Sequence, residues 1–161
     1  PDPVIMFEHA AMYGMKGEMP ANGSPVDIDT ARVRRIGTDV TIVTHGGSLW
    51  KVLEAADSLA EQGVSAEVID LRSLRPLDTD TIVDSVVKTH RLVVVDEGWK
   101  TAGLSAEIVA LVTEDALWEL DAPVKRVCGV EVPIPYAKHL EEASIPQVSG
   151  IEAAVLAVVG S

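Results

Sequence analysis

Apolar residues along this chain follow two alternating rhythms. Three short segments, 39–44, 66–71 and 91–96, are rich in Val, Ile and Leu, as buried strands are. Between and after them, apolar residues recur every three or four positions, the spacing of one helix face. Leu49, Val52, Leu53, Ala56, Leu59 and Ala60 form the first such stripe, and Ile82, Val83, Val86 and Val87 the second. Leu104, Ile108, Leu111, Val112 and Trp118 form a third, and 151–159 a last amphipathic helix opened by Ser149 or Gly150. Ser48 is placed to cap the first helix and Asp78 the second, while Gly63 stands where a helix-ending glycine belongs. Leu92-Val93-Val94-Val95 is apolar on both faces, which predicts a central strand covered by helices on both sides. A fourth strand is predicted over 124–130. Pro133-Ile134-Pro135-Tyr136 lacks two N–H groups and is not a central strand. This alternation predicts an α/β fold in three layers, α/β/α, with a mostly parallel sheet and right-handed crossovers.

The first thirty residues follow another pattern. Val4-Ile5-Met6-Phe7 is continuously apolar and predicts a short buried strand. Residues 20–29 collect Pro, Asn, Gly, Ser and Asp, which is linker composition. A boundary is therefore placed between 1–30 and a main domain over 31–161. Residues 31–36 alternate apolar and basic, as a half-exposed edge strand does. The chain opens Pro1-Asp2-Pro3 without a Met and is read as a piece whose true start lies upstream.

Composition narrows the partners. At 161 residues and 47% hydrophobic, the chain suits one domain with a sizeable core. Thirteen basic against 25 acidic residues give a net charge of −12, which argues against a nucleic-acid duplex and favours a basic protein partner or plain solubility. No apolar run is expected to reach the roughly 20 residues of a membrane span, and no signal peptide is evident. The single Cys128 excludes an internal disulfide and suits a reducing compartment; it reads as a small core residue, not a nucleophile.

Candidate chemistry gathers where strands give way to helices. His45-Gly46-Gly47-Ser48 offers small residues and free N–H groups at a helix start, which suits an anion. It is neither a Gly-x-Gly-x-x-Gly nor a Gly-Lys-Ser/Thr phosphate motif, so a tight turn without a ligand is expected, and no dyad partner for His45 is visible. Asp96-Glu97-Gly98 ends the central strand. Adjacent strand carboxylates point to opposite faces, so a shared-proton pair is excluded and capping is expected. Glu8-His9 reads as an interdomain hydrogen bond more readily than as catalysis, and His90 and His139 as surface residues. No metal-ligand spacing and no Gly-x-Ser-x-Gly elbow occurs. Catalytic, cofactor-binding and metal residues are thus each assigned as none.

Five stretches in order resemble a known family. They are Phe7-Glu8-His9 with Met12-Tyr13-Gly14, then 37–43, then Val68-Ile69-Asp70-Leu71-Arg72-Ser73-Leu74-Arg75-Pro76-Leu77-Asp78, then Val95-Asp96-Glu97-Gly98, and Pro133-Ile134-Pro135-Tyr136-Ala137 with Leu140-Glu141. Together they are similar to the C-terminal half of the β subunit of thiamine diphosphate-dependent 2-oxo acid dehydrogenases of the pyruvate, branched-chain and acetoin type. The resemblance implies a transketolase C-terminal-like domain preceded by the last strand of a thiamine-binding domain. It implies an α2β2 enzyme that decarboxylates a 2-oxo acid oxidatively and passes the acyl group to lipoyl. Thiamine diphosphate and magnesium would lie outside this chain, which is expected to bind neither and to be inactive alone. The implied partners are the α subunit, a second β subunit and the basic docking module of a lipoyl acyltransferase core, with Glu141, Glu142 and Glu152 as candidate acidic contacts. The implied location is the cytoplasm of a bacterium or archaeon, or the mitochondrial matrix or a plastid in a eukaryote. The rivals are another transketolase-like thiamine enzyme, distinguished by its longer single gene, and a free-standing α/β binding module, distinguished by stabilisation with its ligand.

Overall fold

The computed structural model describes residues 3–17, 23 and 25–160. The opening Pro1-Asp2 and residues 20–22 and 24 of the linker predicted over 20–29 lie outside the described residues. The elements run β1 Arg32–Arg35, β2 Val40–Thr44, α1 Ser48–Glu61, β3 Ala66–Asp70, α2 Thr79–Thr89, β4 Leu92–Trp99, α3 Leu104–Ala116, β5 Lys125–Gly129, α4 Lys138–Ser144 and α5 Val148–Val159.

The sheet has the order β1-β3-β2-β4-β5. β3, β2, β4 and β5 are parallel, and β1 closes one edge antiparallel to β3. Strand alternation builds two cores. Val40, Ile42, Val68, Val93 and Val95 face α1 and α5, and Val43, Ile69, Leu92 and Val94 face α2 and α3. This is the three-layer α/β/α arrangement predicted from the pattern. The chain leaves β2 toward β3 on one side and reaches β4 on the other, so the topology reverses between β2 and β4, where such sheets commonly bind ligands.

Local signals mostly act as chemistry requires. Asp78 Oδ1 accepts from Thr81 N at 3.1 Å and caps α2. The N–H of Gly63 (φ +84°) bonds Ala60 O, and that of Val64 bonds Leu59 O, a Schellman ending for α1.

Several expectations are corrected. Val4, Ile5, Met6 and Phe7 form no strand and are exposed, Phe7 by 93%, because no neighbouring strand pairs with them. Ser48 is the first residue inside α1 and not its cap. Trp118 leaves the α3 stripe for a 3-10 turn at Leu117–Glu119 and is exposed. The last helix opens earlier, after Gln147, and α4 was not predicted. Lys138–Val159 is by length and composition apolar enough to cross a membrane, contrary to the expectation for the chain. It breaks between α4 and α5, and Ile151, Val155 and Val158 are buried in the core, as in a helix covering a sheet.

Candidate functional site

The connections after β2 and β4 meet at the topological reversal. Strand parity decides what each side chain finds. Asp96 continues the α2/α3 side of β4, and Glu97 the α1/α5 side. Asp96 Oδ2 accepts from Ser105 N at 3.2 Å, in the first turn of α3, and Oδ1 accepts from Gly98 N at 2.8 Å. On the other face, Glu97 Oε1 accepts from Ser48 Oγ at 3.2 Å, in the first turn of α1. Each carboxylate thus sits at a helix N-terminus, where the aligned peptide dipoles favour negative charge.

Each carboxylate also meets a histidine. His9 Nε2 donates to Glu97 Oε2 at 2.9 Å, reaching in from the N-terminal segment. His45 Nε2 lies 3.4 Å from Asp96 Oδ1, an ion-pair distance without hydrogen-bond geometry. Burial pushes the Asp96 carboxyl up, but His45 and the Gly98 and Ser105 N–H groups outweigh it and hold it below the usual range. The parity prediction for Asp96-Glu97 is therefore met on both faces, and Asp96 caps as expected.

The partner of His45 was missed. Asp96 lies 51 positions away, and only the order of β2 and β4 in the sheet brings them together. Glu8 is engaged locally, accepting from Tyr13 OH at 2.7 Å, so only His9 of that pair reaches the domain. His90 ends α2 with φ +58° and donates from Nδ1 to Glu119 O at 2.8 Å. His139 is exposed on α4 with Glu141 and Glu142, and Glu152 is half-buried on α5. Cys128 is half-buried with its Sγ 3.3 Å from Ser105 Oγ.

The arrangement lacks the order of a nucleophilic triad. In the contact Ser48–Glu97–His9 the carboxylate stands in the middle, where a base should be. The turn at 45–48 fits no diphosphate either, since the Glu97 carboxylate already lies against the first turn of α1. A magnesium ion would need clustered oxygen donors, and among the described residues no three His, Cys, Asp or Glu converge to hold a metal. The residues present do not fit thiamine diphosphate with its metal.

The comparisons with known proteins agree with the architecture. Residues 29–151 match the family model "Transketolase, C-terminal domain". The chain is 47% identical to the mitochondrial pyruvate dehydrogenase E1 component subunit beta of Drosophila melanogaster, over 99% of this chain and 45% of that protein. It is 43% identical to the subunit beta of Rickettsia felis, over 96% of this chain and 47% of that one. It therefore spans about half the length of the curated relatives it matches. Among solved structures, a split-gene transketolase in an inactive β4 tetramer superposes with a TM-score of 0.74 at 28% identity, covering 89% of this chain and 46% of the other. A Pichia stipitis transketolase mutant, at 16% identity and TM-score 0.55, shares the fold alone. By its sheet order, its paired connections at the reversal point and the family match over 29–151, the chain belongs to the transketolase C-terminal domain family.

Proposed function

We propose that this chain is the C-terminal domain of the β subunit of a pyruvate dehydrogenase-type 2-oxo acid dehydrogenase, serving oxidative decarboxylation of a 2-oxo acid with transfer of the acyl group to lipoyl. The observation that carries the reading is the 47% identity to an E1 subunit beta across nearly the whole chain. In this reading residues 1–30 are the end of the preceding thiamine-binding domain with its linker, and 31–161 the domain itself. Thiamine diphosphate and magnesium belong to the rest of the enzyme, and this domain supports that site and pairs subunits. The location follows the source: the cytoplasm in a bacterium or archaeon, and in a eukaryote the mitochondrial matrix or a plastid, the fly relative's name being mitochondrial.

The test is co-expression of the complete gene with a candidate α subunit, alongside this chain alone. Thiamine-dependent decarboxylation of pyruvate by the assembly, and none by the chain, is expected. Activity in the isolated chain, or an assembly that only transfers ketol groups, overturns the reading.

Exposed Glu141 and Glu142 on α4 and the net charge of −12 support docking to a basic module of the acyltransferase core. Binding to that isolated module should weaken steeply with salt; absent or salt-independent binding removes this part of the proposal.

A further inference from the structure

We propose that the connection from β3 to α2 is a docking surface for an acidic, leucine-bearing segment of another protein, held by Arg72 and Arg75. The surface lies apart from the acidic α4 face, calls for the opposite charge and does not depend on the reading above.

Both arginines are exposed, and Asp70 and Asp78 beside them are already engaged. Asp78 accepts from Thr81 N at 3.1 Å, Thr81 Oγ1 at 2.7 Å and Ala31 N at 2.8 Å. Asp70 accepts from Arg72 N at 3.2 Å and sits 3.8 Å from the Arg34 guanidinium. Among the described residues no carboxylate pairs with the guanidinium of Arg72, Arg75 or Arg32. Arg32 is the register partner of Asp70, so a third unpaired cation starts from the same corner. In a chain of net charge −12 these are three cations without an ion-pair partner at one corner, and such a cluster attracts carboxylates.

An apolar floor adjoins the cations. Leu74, Pro76, Leu77, Leu104 and Leu111 line a groove of about 740 Å3 between the connection and α3, with Arg75 and Glu107 also at its wall. Leu74 is 43% exposed. Arg72 adopts φ +60°, a left-handed backbone that strains any side chain and that glycine takes freely. Arg75 and Glu107 also give the occupant a polarity: carboxylates toward the arginines, leucines over the floor, and no carboxylate at the Glu107 end.

The test titrates the full chain with a labelled amphipathic peptide carrying Glu and Leu at helical spacing, and with its Lys-for-Glu counterpart. The Glu peptide should bind saturably. Its affinity should fall roughly tenfold in Arg72→Gly and in Arg75→Gln, as loss of one charged contact implies, and rise about twofold in Glu107→Gln. Arg72→Gly relieves the strained backbone, so an unchanged or higher melting temperature separates lost binding from lost fold. Failure of the Glu peptide to bind, equal binding of both peptides, or equal affinity in the variants overturns the proposal. So does a change in the chain's own sedimentation in Arg72→Gly and Arg75→Gln, which would make a second copy the occupant.

Discussion

The two ends of the sheet handle their carboxylates in opposite ways. At the amino ends of β2 and β3, Glu67 is 3% exposed and three polar partners close on it. Ser85 Oγ donates to it at 2.6 Å, Lys88 pairs with it, and Gly37 N donates at 3.3 Å. Thr41 extends the network through hydroxyl contacts to Ser85 and Thr89 at 2.7 and 2.6 Å. At the carboxyl ends, the Glu97 side chain is 27% exposed and relies on His9, which arrives from a segment otherwise open to solvent. Burial pushes Glu67 up, yet Lys88, Ser85 and the Gly37 N–H together hold it below its ordinary value. A buried carboxylate with a complete partner set is a clamp between β3 and α2. A half-exposed one whose partner comes from a separate segment is a joint.

That distinction is broken or sharpened by substitution. The largest effect is expected for Glu67→Ala, which leaves the buried Ser85 hydroxyl and Gly37 N–H without this acceptor and should cost about 3 kcal/mol; Glu97→Ala should cost only about 1 kcal/mol. Urea unfolding of both variants checks this, and equal losses would erase the comparison. Two glycines sharpen it next. A Cβ on Gly37 would lie 2.2 Å from backbone atoms of Ala66 and Glu67, whereas one on Gly47 would meet the His9 ring at 2.7 Å. Backbone cannot give way and a side chain can, so Gly37→Ala should cost about 3 kcal/mol and Gly47→Ala under about 1 kcal/mol.

Acid provides a third comparison. The folded carboxyls of Glu67 and Asp96 both titrate below their ordinary values of 4.5 and 3.8. Their contribution is therefore complete above those values and lost as pH falls through the folded ones. Melts between pH 3 and 7 should show a slope below pH 4.5 that Glu67→Gln flattens; an unchanged slope would remove Glu67 from the account. The smallest effect is expected for His9→Ala, under about 0.5 kcal/mol globally, with faster tryptic cleavage after Lys16 as its signature.

The layers, the alternation of strands and helices and two helix ends were legible in the sequence because they rest on local periodicity and capping. Gly63 and Asp78 each declare a helix end within four residues of their partners. The buried strand expected at 4–7 was not met, since an apolar run becomes a strand only where another strand accepts its hydrogen bonds. His45–Asp96 and His9–Glu97 span 51 and 88 positions and depend on which strands lie side by side. The sequence shows opposite faces for Asp96 and Glu97; it does not show which helix starts behind each.

The Glu97 carboxylate at the first turn of α1 has a thermodynamic consequence. A free anion occupies a helix N-terminus in proportion to its concentration, whereas one tethered to the adjacent strand is present at a fixed effective concentration. A free anion reaching this turn therefore has to compete with a carboxylate that the chain already holds there. In this domain the helix start that such folds commonly offer to an anionic ligand already carries a carboxylate of the chain itself.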